Sequence, residues 1–181
     1  MSVKWLAARE AIEIFLQIGD FHFADRKTRI RTTLGSCVSI TMWHPGLREG
    51  GMCHYMLPCN AAPSGARLDG RYADDAIELF VAALRRNGTR PGAYEVKLFG
   101  GGRMYGDRGG AAATEPVQIG PRNIEAARRL LRGHGFRISR EHLAGEGHRN
   151  VIFDIASGET WVRHVANLLP AGDCRGGWGS A

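Results

Sequence analysis

Apolar and polar residues alternate from Cys37 to Trp43, with Val38, Ile40 and Met42 on one side. A period of two predicts a half-buried strand. Met52 to Leu57 can also run extended, and His44-Pro45-Gly46-Leu47 between them carries a Pro-Gly turn signal. Ile30 to Trp43 and Met52 to Leu57 therefore supply the first sheet elements. The period changes at Tyr72 to Arg86. There Ile77, Phe80, Val81 and Leu84 follow helical spacing, acidic residues come early, arginines come late, and Gly88 follows the end. Tyr94 to Phe99 reads as a strand running into Gly100-Gly101-Gly102, and 105–121 as a long glycine-containing loop. Arg122 to Arg132 is a second helix, with Pro121 before it and Gly133 after it. Phe136 to Arg140, Val151 to Ile155 and Thr160 to Val165 read as strands, the last two joined through Ala156-Ser157-Gly158-Glu159.

At the start, the apolar stretch Trp5 to Ile18 is interrupted by Arg9, Glu10 and Glu13. That is too polar to span a membrane and predicts a peripheral amphipathic helix over 1–18. Residues 59–71 read as a loop, and the glycine-rich stretch 169–181 as a flexible tail. Helices and strands are mixed and the later strands suit antiparallel pairing. The expectation is one α+β domain over 1–168, with mixed or antiparallel sheets.

The chain has 181 residues, 44% of them hydrophobic and 23% charged, enough for one domain with a real core. The net charge of +6 suits an acidic partner. No zinc finger, helix-turn-helix or aromatic RNA-binding signature accompanies it, so nucleic acid is not the expected partner. The four cysteines, Cys37, Cys53, Cys59 and Cys174, form no disulfide-dense framework, and nothing resembles a signal peptide. Reduced thiols in the cytoplasm are the expectation. Cys53, His54 and Cys59 lack the second ligand pair that a zinc site needs, so no metal is expected.

Cys37 and His54 carry the candidate chemistry. A cysteine is a strong nucleophile as the thiolate, and a histidine beside it is a common activator. A hairpin folded about the middle of His44 to Leu47 sets Cys37 directly across from His54, where Cβ atoms lie roughly 4.5–5.5 Å apart. Gly35 and Ser36 give the sulfur a small-residue approach, with backbone N–H groups available to hold an oxyanion. Cys53, adjacent to His54, faces the opposite side and is expected to be packed. Most free cysteines are inert core residues, and the relation to His54 is what separates Cys37 from them. Phe99 to Gly106 lacks the Gly-Lys-Ser/Thr ending and the immediate helix of a phosphate loop and reads as a tight turn or a substrate-approach surface. Asp74 and Asp75 read as acidic residues in a helix's first turn.

The ordered runs Thr32-Thr33-Leu34-Gly35-Ser36-Cys37-Val38, Gly50-Gly51-Met52-Cys53-His54-Tyr55-Met56-Leu57-Pro58, Arg71 to Ala76, Lys97 to Gly101, Ile119 to Asn123 and Arg149-Asn150-Val151 span most of the chain. In them the sequence strongly resembles the chemoreceptor glutamine deamidases of bacterial chemotaxis, the CheD family. The resemblance implies a cysteine hydrolase that converts glutamines of methyl-accepting receptors to glutamate, with Cys37 as nucleophile and His54 as its histidine. It also implies a threonine as third member. Thr32 is the choice and Thr33 the runner-up. No cofactor is implied. A CheC-type chemotaxis phosphatase is a partner of some members. The implied fold is a layered sandwich similar to a toxin deamidase domain, its sheets covered by helices.

Overall fold

The computed structural model describes residues 11–61, 67–103 and 118–166. Nine strands and two long helices occur among them: β1 (Ile12–Phe15), β2 (Phe21–Asp25), β3 (Thr28–Leu34), β4 (Val38–His44), β5 (Glu49–Tyr55), α1 (Ala73–Arg86), β6 (Glu95–Gly100), α2 (Ile119–Gly133), β7 (Ile138–Leu143), β8 (His148–Asp154) and β9 (Thr160–Val165). The strands form two sheets, ordered β1-β3-β8-β9 and β2-β5-β4-β6-β7. Parallel pairs β1/β3 and β6/β7 accompany the antiparallel ones, so both sheets are mixed. The fold is α+β, as the sequence pattern indicates.

Three layers follow from how each strand divides its side chains. Val38, Ile40 and Met42 of β4, Cys53 and Tyr55 of β5, and Val96 and Leu98 of β6 pack with Ile77, Phe80 and Leu84 of α1 and Ile124, Ala127 and Leu131 of α2. The opposite face of the five-stranded sheet gives Met52 and Phe99 to a second core. That core also holds Ile30, Leu34, Val151 and Phe153 of the four-stranded sheet. β4 and β5 are thus covered on both faces, which explains their nearly unbroken burial. β3 is covered on one face only. Ile30, Thr32 and Leu34 point in, and Arg31 and Thr33 point out.

Both predicted helices form: α1 begins one residue later than expected, and α2 begins three residues earlier and ends one later. Pro121 sits inside the first turn of α2, where its missing N–H costs nothing. Asp74 and Asp75 do more than charge the start of α1: their carboxylates accept the Asn60 and Asp69 amides. They thereby hold both flanks of the loop before the helix.

Three expectations are corrected. The stretch read as a helix over 1–18 contains β1 at Ile12–Phe15. Its first ten residues lie outside the described ones, as does the tail 169–181. Apolar residues there alternate only weakly, and parallel pairing with β3 decides the conformation. Ile30 to Trp43 is two strands in different sheets, broken at Gly35 to Cys37. Phe21–Asp25, which carried no assignment, is strand β2. The hairpin register also differs. Ser39, not Cys37, lies opposite His54. The loop is Pro45 to Arg48, one residue later than expected. The His44 ring accepts the Leu47 amide, and Arg48 takes a left-handed φ of 51° that closes the turn. Moving a turn by one residue shifts the pairing by two, which keeps each side chain on its face.

Candidate functional site

Because parity survives that shift, Cys37 stays on the same side as Ser39 and His54, diagonal to the histidine instead of opposite it. Cys37 sits where the chain crosses from β3 in one sheet to β4 in the other. His54 projects from β5 into the layer between the sheets. The two line one cleft of about 320 Å³ with Phe15, Leu16, Gln17, Ile18, Thr33, Gly35 and Ser36. A larger cleft, about 550 Å³, lies between β6, β7 and β9. No cysteine lines it, so the candidate thiol and imidazole belong to the smaller one.

Thr32 reaches His54 from the facing sheet. Its hydroxyl donates to the Leu16 carbonyl at 2.8 Å and lies 2.8 Å from His54 Nδ1. One hydroxyl proton cannot serve both contacts. With it committed to the carbonyl, Nδ1 must carry its own proton and donate to Thr32 Oγ. That fixes the tautomer and leaves the Nε2 lone pair free. Nε2 is buried and has no hydrogen-bond partner among the described residues, Cys37 Sγ included. Catalytic contacts of this kind are often open in the free protein and close around substrate. Thr33 faces outward and bonds Asn150 instead.

The histidine's backbone is fixed as well. Its carbonyl accepts the Gly19 amide at 2.7 Å, and its amide donates to the Asp20 carbonyl at 3.0 Å. The turn after β1 therefore wraps His54 on three sides, counting the Leu16 carbonyl behind Thr32. The hydrophobic pattern did not mark this turn, because Leu16 to Ile18 read as the end of a helix.

The Cys37 loop is braced from below. Gly100 and Gly101 take positive φ values of 107° and 64°, which only glycine adopts freely. This turn brings the Gly101 amide to the Cys37 carbonyl at 2.7 Å and the Gly102 amide to the Gly35 carbonyl at 2.8 Å. Arg149, fully buried, holds the same region by donating to His142 Nδ1 and to the Ala144 carbonyl. From the helical layer, Asn123 Nδ2 donates to the Met56 carbonyl at 2.8 Å and to the Ser36 carbonyl at 3.3 Å. Asn123 thus ties the residue before Cys37 to the end of the His54 strand. Its signal was present in the sequence: Asn123 falls on the same helical stripe as Ile124, Ala127 and Leu131. A polar residue on a buried face needs partners. The amides of Ser36 and Cys37 donate to no backbone carbonyl among the described residues. They are the available donors for an oxyanion.

Burial sets the protonation states. Desolvation raises the Cys37 thiol above its ordinary range, partly offset by its own amide pointing at the sulfur. Desolvation also lowers His54, against smaller opposing contributions from the Leu16 carbonyl and Asp20. Both shifts favour a neutral thiol beside a neutral imidazole over a thiolate–imidazolium pair. Iodoacetamide alkylation of Cys37, followed on its own tryptic peptide, is therefore expected to be slow near about pH 7 and to climb through the alkaline range. A plateau reached below roughly pH 8 would mean a preformed thiolate instead.

Cys53 is fully buried among the helix-facing residues, and burial pushes its thiol up to about 12. It is packed and inert, as its parity relative to His54 predicts. Cys59 is exposed on the loop after β5, and Cys174 lies outside the described residues. Among the described residues no three histidine, cysteine or carboxylate side chains cluster as metal ligands would. No helix among them is long and apolar enough to cross a membrane.

Comparison with known proteins bears on this arrangement. A family profile described as CheD chemotactic sensory transduction matches residues 56–164. The chain is 47% identical over 156 residues to a protein of Dechloromonas aromatica named probable chemoreceptor glutamine deamidase CheD 3, covering 86% of this chain and 89% of that one. It is 46% identical over 154 residues to a probable chemoreceptor glutamine deamidase CheD of Pseudomonas savastanoi pv. phaseolicola, covering 84% of each. The profile match begins just after His54. An alignment of 156 residues within a chain of 181 cannot avoid the span from Cys37 to His54. Among solved structures, YlmD from Geobacillus stearothermophilus is similar at 15% identity and a TM-score of 0.44, over 69% of this chain and 50% of that one. On the profile match and these relatives, the chain belongs to the CheD chemotactic sensory transduction family.

Proposed function

We propose that this chain is a cysteine-dependent protein-glutamine amidohydrolase that converts selected glutamines of chemoreceptor cytoplasmic domains to glutamate, with Cys37 as nucleophile, His54 as base and acid, and Thr32 as the group that orients His54. One observation carries the reading: a buried histidine whose Nδ1 is committed to a threonine and whose Nε2 is unpartnered, lining one cleft with a partly exposed cysteine. The relatives' names supply the substrate class.

The chemistry follows from the protonation states. As Cys37 Sγ attacks the glutamine side-chain carbonyl, its proton passes to His54 Nε2. The carbonyl oxygen becomes an oxyanion, held by the Ser36 and Cys37 amides. The imidazolium then protonates the departing nitrogen, ammonia leaves, and a thioester remains. Water enters, His54 Nε2 takes its proton, and hydroxide attack releases glutamate and returns the proton to sulfur. The balance is one amide and one water in, one acid and one ammonia out. Thr32 holds the resting proton on Nδ1, so that Nε2 is free to take up and return protons, and keeps the ring aimed. The product carboxylate can be esterified, which an amide cannot, and each turnover adds one negative charge to the receptor. The reaction belongs on the cytoplasmic side, where those receptor domains lie.

The test is mass spectrometry of purified receptor cytoplasmic fragments incubated with the protein. A gain of about 1 Da at defined glutamines, matched by released ammonia, is expected from amide-to-acid conversion. No gain across several receptors would move the reading to a noncatalytic module that binds a receptor or a CheC-type phosphatase.

A further inference from the structure

The catalytic cleft has an unequal rim. Gly35, Ser36 and Thr33 give it small or polar lining. Beside them stand two large hydrophobic residues, Phe15 and Ile18, 47% and 50% exposed. Large hydrophobic side chains left half in water beside a polar catalytic pair need a reason, since burying each is worth about 1.5–3 kcal/mol. The core does not need them: Leu16, between them in sequence, is the residue that packs inward, at 2% exposure.

β1 is an edge strand of the four-stranded sheet, and the wall it carries is mechanically part of the site. The Leu16 carbonyl receives the Thr32 hydroxyl, and the Gly19 amide and Asp20 carbonyl hold the His54 backbone. The Arg31 guanidinium lies 5.9 Å from the Phe15 ring centroid and pairs with Glu13 at 3.6 Å, which limits the ring's freedom.

We infer that Phe15 and Ile18 form a recognition wall for apolar side chains flanking the target glutamine. The inference rests on the proposed amidohydrolase reading and adds to it what selects one glutamine among many. The partner is a protein segment with large aliphatic residues close to its glutamine. A glutamine in a wholly polar surrounding leaves the wall in water and gains nothing from it. Seating the segment excludes water from Nε2, so recognition and activation share one contact surface.

The test compares two synthetic peptides, one with a central glutamine flanked by leucines and one with serines in their place. Each is used to protect Cys37 from iodoacetamide in the wild-type protein, in Phe15→Ser/Ile18→Ser and in Ile18→Ser alone. Protection is expressed against the same protein's unprotected rate. The leucine peptide is expected to protect the wild type at concentrations at least about 10-fold below the serine peptide, the scale of a few apolar contacts in a pocket. That advantage is expected to shrink in Ile18→Ser and vanish in the double variant. Equal protection by the two peptides, an advantage undiminished in both variants, or no protection by either peptide would overturn the wall. The same samples are weighed. A leucine peptide that protects through Phe15 and Ile18 without gaining about 1 Da counts against the amidohydrolase reading and leaves the wall standing.

Discussion

Replacing Cys37 with alanine is expected to abolish conversion of receptor glutamines, lowering kcat by about four to six orders of magnitude, the range for loss of a covalent nucleophile. Receptor binding should be largely retained, because the sulfur is a small part of the cleft wall. Cys37→Ser is the more informative partner. It keeps the shape and a proton to transfer, but a hydroxyl is a far weaker acid than a thiol. His54, held below its ordinary pKa by burial, is a weak base to remove that proton. The serine variant should therefore fall nearly as far as alanine. The measurements are ammonia release and the mass of the receptor fragment. Turnover surviving in Cys37→Ala would exclude the thioester route. It would point to direct attack by water activated at His54.

The site's chemistry was more legible in the sequence than its geometry. Residue types and small-residue flanks picked out Cys37 and His54, and strand parity put them on one face. Parity is robust because a turn displaced by one residue changes the pairing by two. Opposition is not robust: it depended on where a four-residue loop closes, and Arg48 in a left-handed conformation settled that one residue later than Pro-Gly suggested. The choice between Thr32 and Thr33 could not be made from spacing, since both precede the cysteine closely. It turns on which face of β3 points inward, and that depends on a second sheet packing against the first. The turn Leu16 to Asp20 was invisible for a related reason. Besides the local bonds between Gln17 and Asp20, its hydrogen bonds go to His54 and Thr32, far away in sequence, while its apolar residues continue a stretch that mimics an amphipathic helix. Helices α1 and α2 were legible because their apolar stripes are local.

His54→Ala is expected to lower kcat by about three to four orders of magnitude, since one side chain serves as base in acylation, acid in ammonia departure and base in hydrolysis. Thr32→Val separates orientation from chemistry. Valine is close in shape and removes the acceptor that holds Nδ1–H. The ring is then free to adopt the other tautomer, with its proton on Nε2 facing the sulfur and no lone pair there to receive the thiol proton. A loss of about 10–100-fold in kcat is expected, on the scale of removing a histidine's orienting partner, with KM nearly unchanged. Stability also falls, by about 1–3 kcal/mol for the buried polar groups left unpaired. A melting curve alone therefore cannot separate the two roles, but the split between kcat and KM can. Thr32→Ser restores the hydroxyl and should recover most of the rate. The pH profile supplies the sign. Activity requires neutral His54, whose pKa burial lowers, so the acid limb should lie below the ordinary histidine value of 6.5. Activity is then lost only as pH falls through that depressed value. An acid limb at or above it, or a Thr32→Val enzyme with unchanged kcat, would remove the threonine–histidine relay from the mechanism.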